Sequence, residues 1–149
     1  MMSSSNIQIF NESPCDFQVK VHVVSVYLTV GSQVLFLQRS GSEREHWGVP
    51  AGKVESGESL DVAVKRELLE ETGIHCDTMT PIKSLYMRKP EIDYVYHMYA
   101  ARLEQLPDVK LSEEHLDYGW FSVEEVRALP LMAGALDAFE YFLKVSTTP

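Results

Sequence analysis

The sequence predicts an α/β fold, a mixed β-sheet with helices on both faces, and three observations carry that expectation. Two β-branched and apolar runs joined by Gly31-Ser32 form a hairpin near the start. A segment with apolar residues at helical spacing follows it, and further strand-like segments come after that helix before the chain closes on two more helical patterns. At 149 residues the chain reads as one domain with enough bulk for its own core.

Residues 1–16 are polar and contain Pro14, so they are expected to be a flexible leader or a short edge strand ahead of a single domain at 17–145. Lys20 to Val30 reads as a long strand and Gln33 to Arg39 as its partner, with Val34 and Phe36, or else Leu35 and Leu37, facing the core. Ser40 to Glu45 is a polar loop. Ser59 is a good N-cap, Leu60, Ala63, Val64 and Leu68 share one side of a helix, and Gly73 fits the position that ends it. Lys83 to Arg88 and Asp93 to Leu103 read as strands, joined by a charged turn, Arg88 to Ile92, within reach of a substrate. Residues 104–116 are an acidic loop, and Asp117 to Phe121 is the last strand. Ser122 with Glu125 makes a capping box for a short helix stopped by Pro130, and Leu136, Phe139 and Leu143 give a core face to a C-terminal helix, Ala133 to Lys144.

The helix after Ser59 carries a cost. At roughly 100° per residue Glu67, Glu70 and Glu71 point to about 0°, −60° and +40°, so three carboxylates share one side. Like charges at i,i+3 and i,i+4 destabilise a helix by roughly 0.2–0.5 kcal/mol per pair. A hard divalent cation such as Mg²⁺ turns that penalty into a site, because it takes oxygen ligands from one or two carboxylates, waters and substrate phosphates. On this reading Glu71 faces solvent and metal, away from the core. The plainer reading is a solvated acidic face on which Arg66 pairs Glu70.

Gly52, Glu58, Arg66-Glu67-Leu68, Glu70-Glu71, Gly73 and Ile74 stand at the fixed positions of one long pattern, and the stretch from Gly52 to Ile74 resembles the Nudix box. The resemblance implies an α/β/α sandwich with a mixed β-sheet and the box as loop-helix-loop. It implies Mg²⁺-dependent hydrolysis of a diphosphate linkage in a nucleoside diphosphate-X substrate, with Mn²⁺ as an alternative ion. Glu67, Glu70 and Glu71 would be the metal ligands, joined by a backbone carbonyl at Ala51 or Gly52. Glu67 would instead be the general base if Arg66 orients it. A further base or ligand would come from a distant loop, at Glu114 with Glu113 as runner-up. Glu58 would sit behind the ligands or favour the positive end of the helix.

Lys53 in the entry loop and Arg39 at the end of the second strand are the candidate substrate contacts. A P-loop reading of Gly48 and Gly52-Lys53 fails, since Val54 stands where Ser or Thr would be needed. The compact chain looks most like nucleoside triphosphate pyrophosphohydrolases, which release a nucleoside monophosphate and pyrophosphate. Dinucleoside polyphosphate, dihydroneopterin triphosphate and ADP-ribose hydrolysis remain alternatives, as does an inactive nucleotide-binding module. Trp47, Tyr86, Tyr94, Tyr96 and Tyr99 either stack a base or belong to the core. The five histidines, His22, His46, His75, His97 and His115, show no paired metal spacing, and most of them are expected to be structural or exposed.

A net charge of −9 and a pI near 4.9 argue against binding a nucleic acid polymer through its phosphates. Cys15 and Cys76 are in neither a disulfide framework nor a zinc spacing. The first residues lack the basic and apolar regions of a signal peptide, and the longest apolar run, Val21 to Val30, is about half a membrane span. The expectation is a cytoplasmic monomer or homodimer acting on a small nucleotide-type molecule.

Overall fold

The computed structural model describes residues 6–41 and 45–146; the first part of the expected leader and the middle of the 40–45 loop lie outside the described residues. In chain order the elements are β1 (Gln8–Phe10), β2 (Val19–Val30), β3 (Gln33–Arg39), β4 (Trp47–Gly48), β5 (Ala51–Lys53), α1 (Leu60–Thr72), β6 (Thr80–Lys89), β7 (Ile92–Leu103), β8 (His115–Phe121), α2 (Val123–Ala128) and α3 (Ala135–Ser146). Among the described residues no helix is long and apolar enough to cross a membrane.

The near-continuous β-branched run of β2 makes it the axis of a mixed sheet. It lies parallel to β7 from Val19↔Asp93 to Val30↔Leu103, while β6 runs antiparallel to β7 and β8 antiparallel to β3. Both faces are covered. On one face Ala63, Val64 and Leu68 of α1 pack on Val24, Val26, Leu28, Leu35 and Leu37. On the other, Val126 of α2 and Phe139 and Phe142 of α3 pack on Tyr27, Val34, Phe36 and Met98. The result is the expected α/β/α sandwich. Burial on both faces also resolves the choice along β3: Val34 and Phe36 enter one core layer and Leu35 and Leu37 the other.

The placing of the site depends on a wedge in this sheet. β2 and β3 pair only beside their turn, at Thr29↔Val34 and Val30↔Gln33, and then splay apart. β4 occupies the freed edge of β3 through Leu37↔Gly48 and Gln38↔Trp47, and β5 occupies that of β2 through Val23↔Lys53, Val24↔Gly52 and Ser25↔Ala51. Between them the Pro50 carbonyl accepts the Val26 N–H at 3.0 Å. The loop preceding α1 is thereby built into the sheet.

Two expectations are corrected. The core face of α3 is Ala138, Phe139 and Phe142, while Leu136 is 41% exposed and Leu143 is half-buried. The aromatic contacts set that phase: Phe142 stacks on Tyr27 with centroids 4.8 Å apart, and Phe139 meets Phe36 edge-on at 5.7 Å. The charged turn shrinks to Pro90-Glu91, because the ladder continues to Lys89↔Ile92. Arg88 is occupied there, donating to Asp93 at 2.8 Å and to Asp16 at 3.2 Å, which ties the segment after β1 to the sheet edge.

Candidate active site

Local chemistry begins and ends α1. The Ser59 hydroxyl accepts the Val62 N–H at 3.2 Å, and Gly73, left-handed at φ 74°, returns its N–H to Leu69 at 2.8 Å. With Ala63, Val64 and Leu68 against the sheet, the carboxylate side turns toward the inserted loop. Glu71 does not face solvent as the spacing suggested. It is 3% exposed, and its Oε1 accepts the Ala51 N–H at 3.2 Å. Burial, and next the neighbouring Glu67 charge, push its carboxyl far above the usual carboxylate range. Burial raises Glu67 as well, against the opposing pull of Arg66. The Glu67 carboxylate fills the space beside Gly52, where a Cβ would collide with it.

Arg66 is the hub of the helix start. Its Nε and Nη2 grip both oxygens of Glu58 at 2.6 and 2.9 Å, Nη1 donates to Glu67 at 2.9 Å and Glu70 at 3.2 Å, and Nη2 reaches the Lys53 carbonyl at 3.1 Å. The pair to Glu70 is thus one contact of several. Glu58 lies behind this arginine, neither facing the carboxylate cluster nor acting through the helix dipole alone. The fork geometry and the Glu55 N–H pull its carboxyl down to about 2. A depressed carboxyl stabilises the fold above its unfolded value and loses that contribution as pH falls from about 4.5 toward 2. Urea midpoints of the wild type and Glu58→Gln are therefore expected to differ at pH 6 and to converge below pH 3; a constant gap would show that the charge pairing is not the cause.

The acidic loop is strapped to the open end of α1, where terminal carbonyls need partners. Lys110 donates its N–H to Thr72 at 2.8 Å and Ser112 to Glu71 at 3.4 Å. This brings Glu114 close enough for its charge to add to the upward shift of Glu71, and the Glu114 carbonyl accepts the Ser40 N–H at 3.0 Å. Glu113 instead engages Ser40 through its carbonyl.

A cavity of about 440 Å³ opens on the opposite side of the inserted loop. Ala51, Gly52 and Lys53 form one rim, aromatic side chains of Tyr27, Phe36, Tyr94 and Tyr96 form apolar walls, and Arg39, Lys89 and His115 supply polar groups. The structure therefore brings Arg39 and Lys53 to the cavity and gathers Glu67, Glu71 and Glu114 behind its rim, while the Glu70 side chain, 57% exposed, is near enough for its charge to add to the upward shift of Glu67. Of the five aromatic candidates only Tyr94 and Tyr96 line the cavity. Trp47 packs edge-on against Phe121, Tyr86 against Phe17, and Tyr99 donates to Asp61 at 3.0 Å.

Among the described residues no three His, Cys, Asp or Glu side chains stand as a ready-made cage for a metal. The donor set nevertheless fits Mg²⁺, which is ordinarily held by one or two carboxylates and completed by waters and phosphate oxygens. A buried and a half-buried carboxyl of like charge, Glu71 and Glu67 beside the Gly52 cradle, are the kind of group whose cost a hard cation removes.

Sequence reasoning counted His115 among the histidines and gave it no place in the site, yet it is 8% exposed and lines the cavity; the segment Met132 to Ala135, which forms the far wall, was not singled out at all. Burial, then the Arg39 charge, lower the His115 imidazole to about 4. The available signal was the Gly134 between Pro130 and the last helix, which turns at φ 82° beside the cavity. His22 and His97 hydrogen-bond each other at 2.9 Å and neither lines the cavity.

Comparison with known proteins agrees with this arrangement. The NUDIX domain family model matches residues 17–142. The 8-oxo-dGDP phosphatase NUDT18 of Homo sapiens is 37% identical over 81 residues, 54% of this chain and 24% of that protein. The bis(5'-nucleosyl)-tetraphosphatase of Mus musculus is 32% identical over 98 residues, 62% of this chain and 66% of that protein. Among solved structures, the MutT protein of Methanosarcina mazei Go1 superposes with a TM-score of 0.75 at 28% identity, covering 88% of this chain and 98% of that one. The chain spans only 24–31% of the length of the first three curated relatives it matches.

Proposed function

Since the chain belongs to the Nudix family, we propose that it hydrolyses a phosphoric anhydride linkage in a nucleoside diphosphate-X substrate with Mg²⁺, or Mn²⁺, as cofactor. A nucleoside triphosphate, cleaved to a monophosphate and pyrophosphate, is the substrate proposed first. The observation that carries the reading is the pair of carboxyls, buried Glu71 and half-buried Glu67, set against Ala51 and Gly52 at the rim of a cavity with aromatic walls.

Glu67, Glu70 and Glu71, with a carbonyl of Ala51 or Gly52, would hold the cation. The cation supplies neutralisation of the phosphoryl oxygens and a more acidic water. The chain's own residues divide the rest of the work. Arg66 holds Glu67 at 2.9 Å, so that carboxylate meets the substrate in one orientation. Glu114, or Glu67 where the cation leaves it free, accepts the proton of the attacking water. Arg39, Lys53 and Lys89 oppose the phosphate charge, and Tyr94 and Tyr96 hold the base by their faces. These cations are local, and the net charge of −9 makes the rest of the surface unattractive to polyanions.

The test is phosphate or pyrophosphate release from nucleoside triphosphates, oxidised nucleoside di- and triphosphates, dinucleoside polyphosphates, dihydroneopterin triphosphate and ADP-ribose. Turnover of one class with Mg²⁺ and its loss in EDTA are expected. Tight binding without turnover in either Mg²⁺ or Mn²⁺ would replace the enzyme by a nucleotide-binding module.

A further inference from the structure

Among the described residues two buried side-chain atoms have no hydrogen-bond partner, Arg39 Nε and His115 Nδ1, and both belong to residues lining the same cavity. They are register neighbours, Arg39 on β3 opposite His115 on β8 across a bulge. Their main chains are satisfied, since the Arg39 N–H donates to His46 at 2.9 Å and the His115 N–H to Ser112 at 3.3 Å. Only the side chains are open. Orphaned buried polar atoms are rare, and two on adjacent strands, in residues that line one cavity, point to a ligand atom as their missing partner.

The chemistry of that atom follows. Arg Nε only donates, and a neutral imidazole donates from whichever nitrogen carries its proton, so two donors meet one acceptor oxygen. The corner supplies one full positive charge, that of Arg39, beside the His115 ring, so it matches a single negative charge. An internal phosphoryl group, esterified or bridged on both sides, carries one negative charge, whereas a terminal phosphate carries nearly two at pH 7. We infer that His115 is a specificity-determining residue which, with Arg39, takes a non-bridging oxygen of an internal phosphoryl group, donating from Nδ1. The inference rests on the proposed reaction class and assigns the internal phosphoryl group of its substrates to His115 and Arg39; a monophosphate has no such group to offer them.

The first test needs no turnover. The ¹⁵N resonances of the His115 ring are followed on adding α,β-methylene ATP or AMP in the presence of Mg²⁺. The methylene analogue is expected to move Nδ1 to the shift of a hydrogen-bonded N–H, and AMP to leave it in place at the same concentration. No movement with the analogue, or equal movement with both, would overturn the assignment.

The second test uses the substrate found by turnover. Asn places its amide nitrogen near Nδ1, so His115→Asn is expected to keep KM within about twofold, while His115→Leu raises it about tenfold with kcat little changed. Equal KM values for both variants and the wild type would remove the role. Equal losses in both variants, with an unmoved Nδ1 in the wild type, would assign His115 to structure alone. Failure of the reaction class would instead appear as absent turnover with the Nδ1 shift intact.

Discussion

Glutamine in place of Glu71 is expected to lower turnover at least about 100-fold while making the metal-free protein more stable. The two effects have one cause. Glu71 is buried, its neighbour Glu67 carries a like charge, and both raise its carboxyl far above the ordinary range. A raised carboxyl contributes stability that is fully present below its unfolded value, near 4.5, and is lost as pH rises toward the folded one. At neutral pH the unfolded chain gains from ionising this group and the folded chain does not. Glutamine removes that difference and still accepts the Ala51 N–H. In EDTA the variant is expected to gain about 1–2 kcal/mol at pH 8, or a few degrees in melting temperature, and much less at pH 5. A variant less stable than the wild type at pH 8 would show that the carboxylate is held by contacts other than the cation it awaits.

The burial behind this prediction was not legible in the sequence, although the helix that carries it was. Ser59, the spacing of Ala63, Val64 and Leu68, and Gly73 are local signals, and each acts within one or two turns of its own position. Glu71 is buried by a long-range event: β2 and β3 splay after two residue pairs, and Ala51 enters the wedge as part of β5. No periodicity in either segment announces that. Lys53 was readable as a cation of the entry loop and Arg39 as one at the end of the second strand, whereas His115 acquires its meaning from the β8 strand that sets it opposite Arg39. The phase of α3 was misjudged for the same reason, because Tyr27 and Phe36 choose which aromatic faces inward. Arg66 was legible as a partner of Glu67 and Glu70. Its grip on Glu58 depends on the loop turning back over the helix, where the Lys53 carbonyl also meets it.

Gly52→Ala is expected to separate the seat of Glu67 from the stability of the fold. The added Cβ would fall on the Glu67 carboxylate, while Gly52 is absent from the left-handed glycines and its backbone suits alanine. The obstacle is the far end of a flexible side chain, so the fold yields by letting that carboxylate swing away. Loss of the 2.9 Å contact to Arg66 Nη1 is offset by the reduced freedom of the unfolded chain, roughly 0.4–1 kcal/mol for Gly to Ala, so the melting temperature stays within a few degrees. Turnover is expected to fall at least about 100-fold, since a displaced carboxylate can neither hold the cation nor take a proton. Glu67→Gln should cost a similar factor, and the double variant should be no worse than the poorer single one, because both changes remove the same interaction. Additive losses would mean that Gly52 serves the reaction through its own backbone, and unchanged turnover in Gly52→Ala would place the working carboxylate at Glu71 and Glu114 without Glu67.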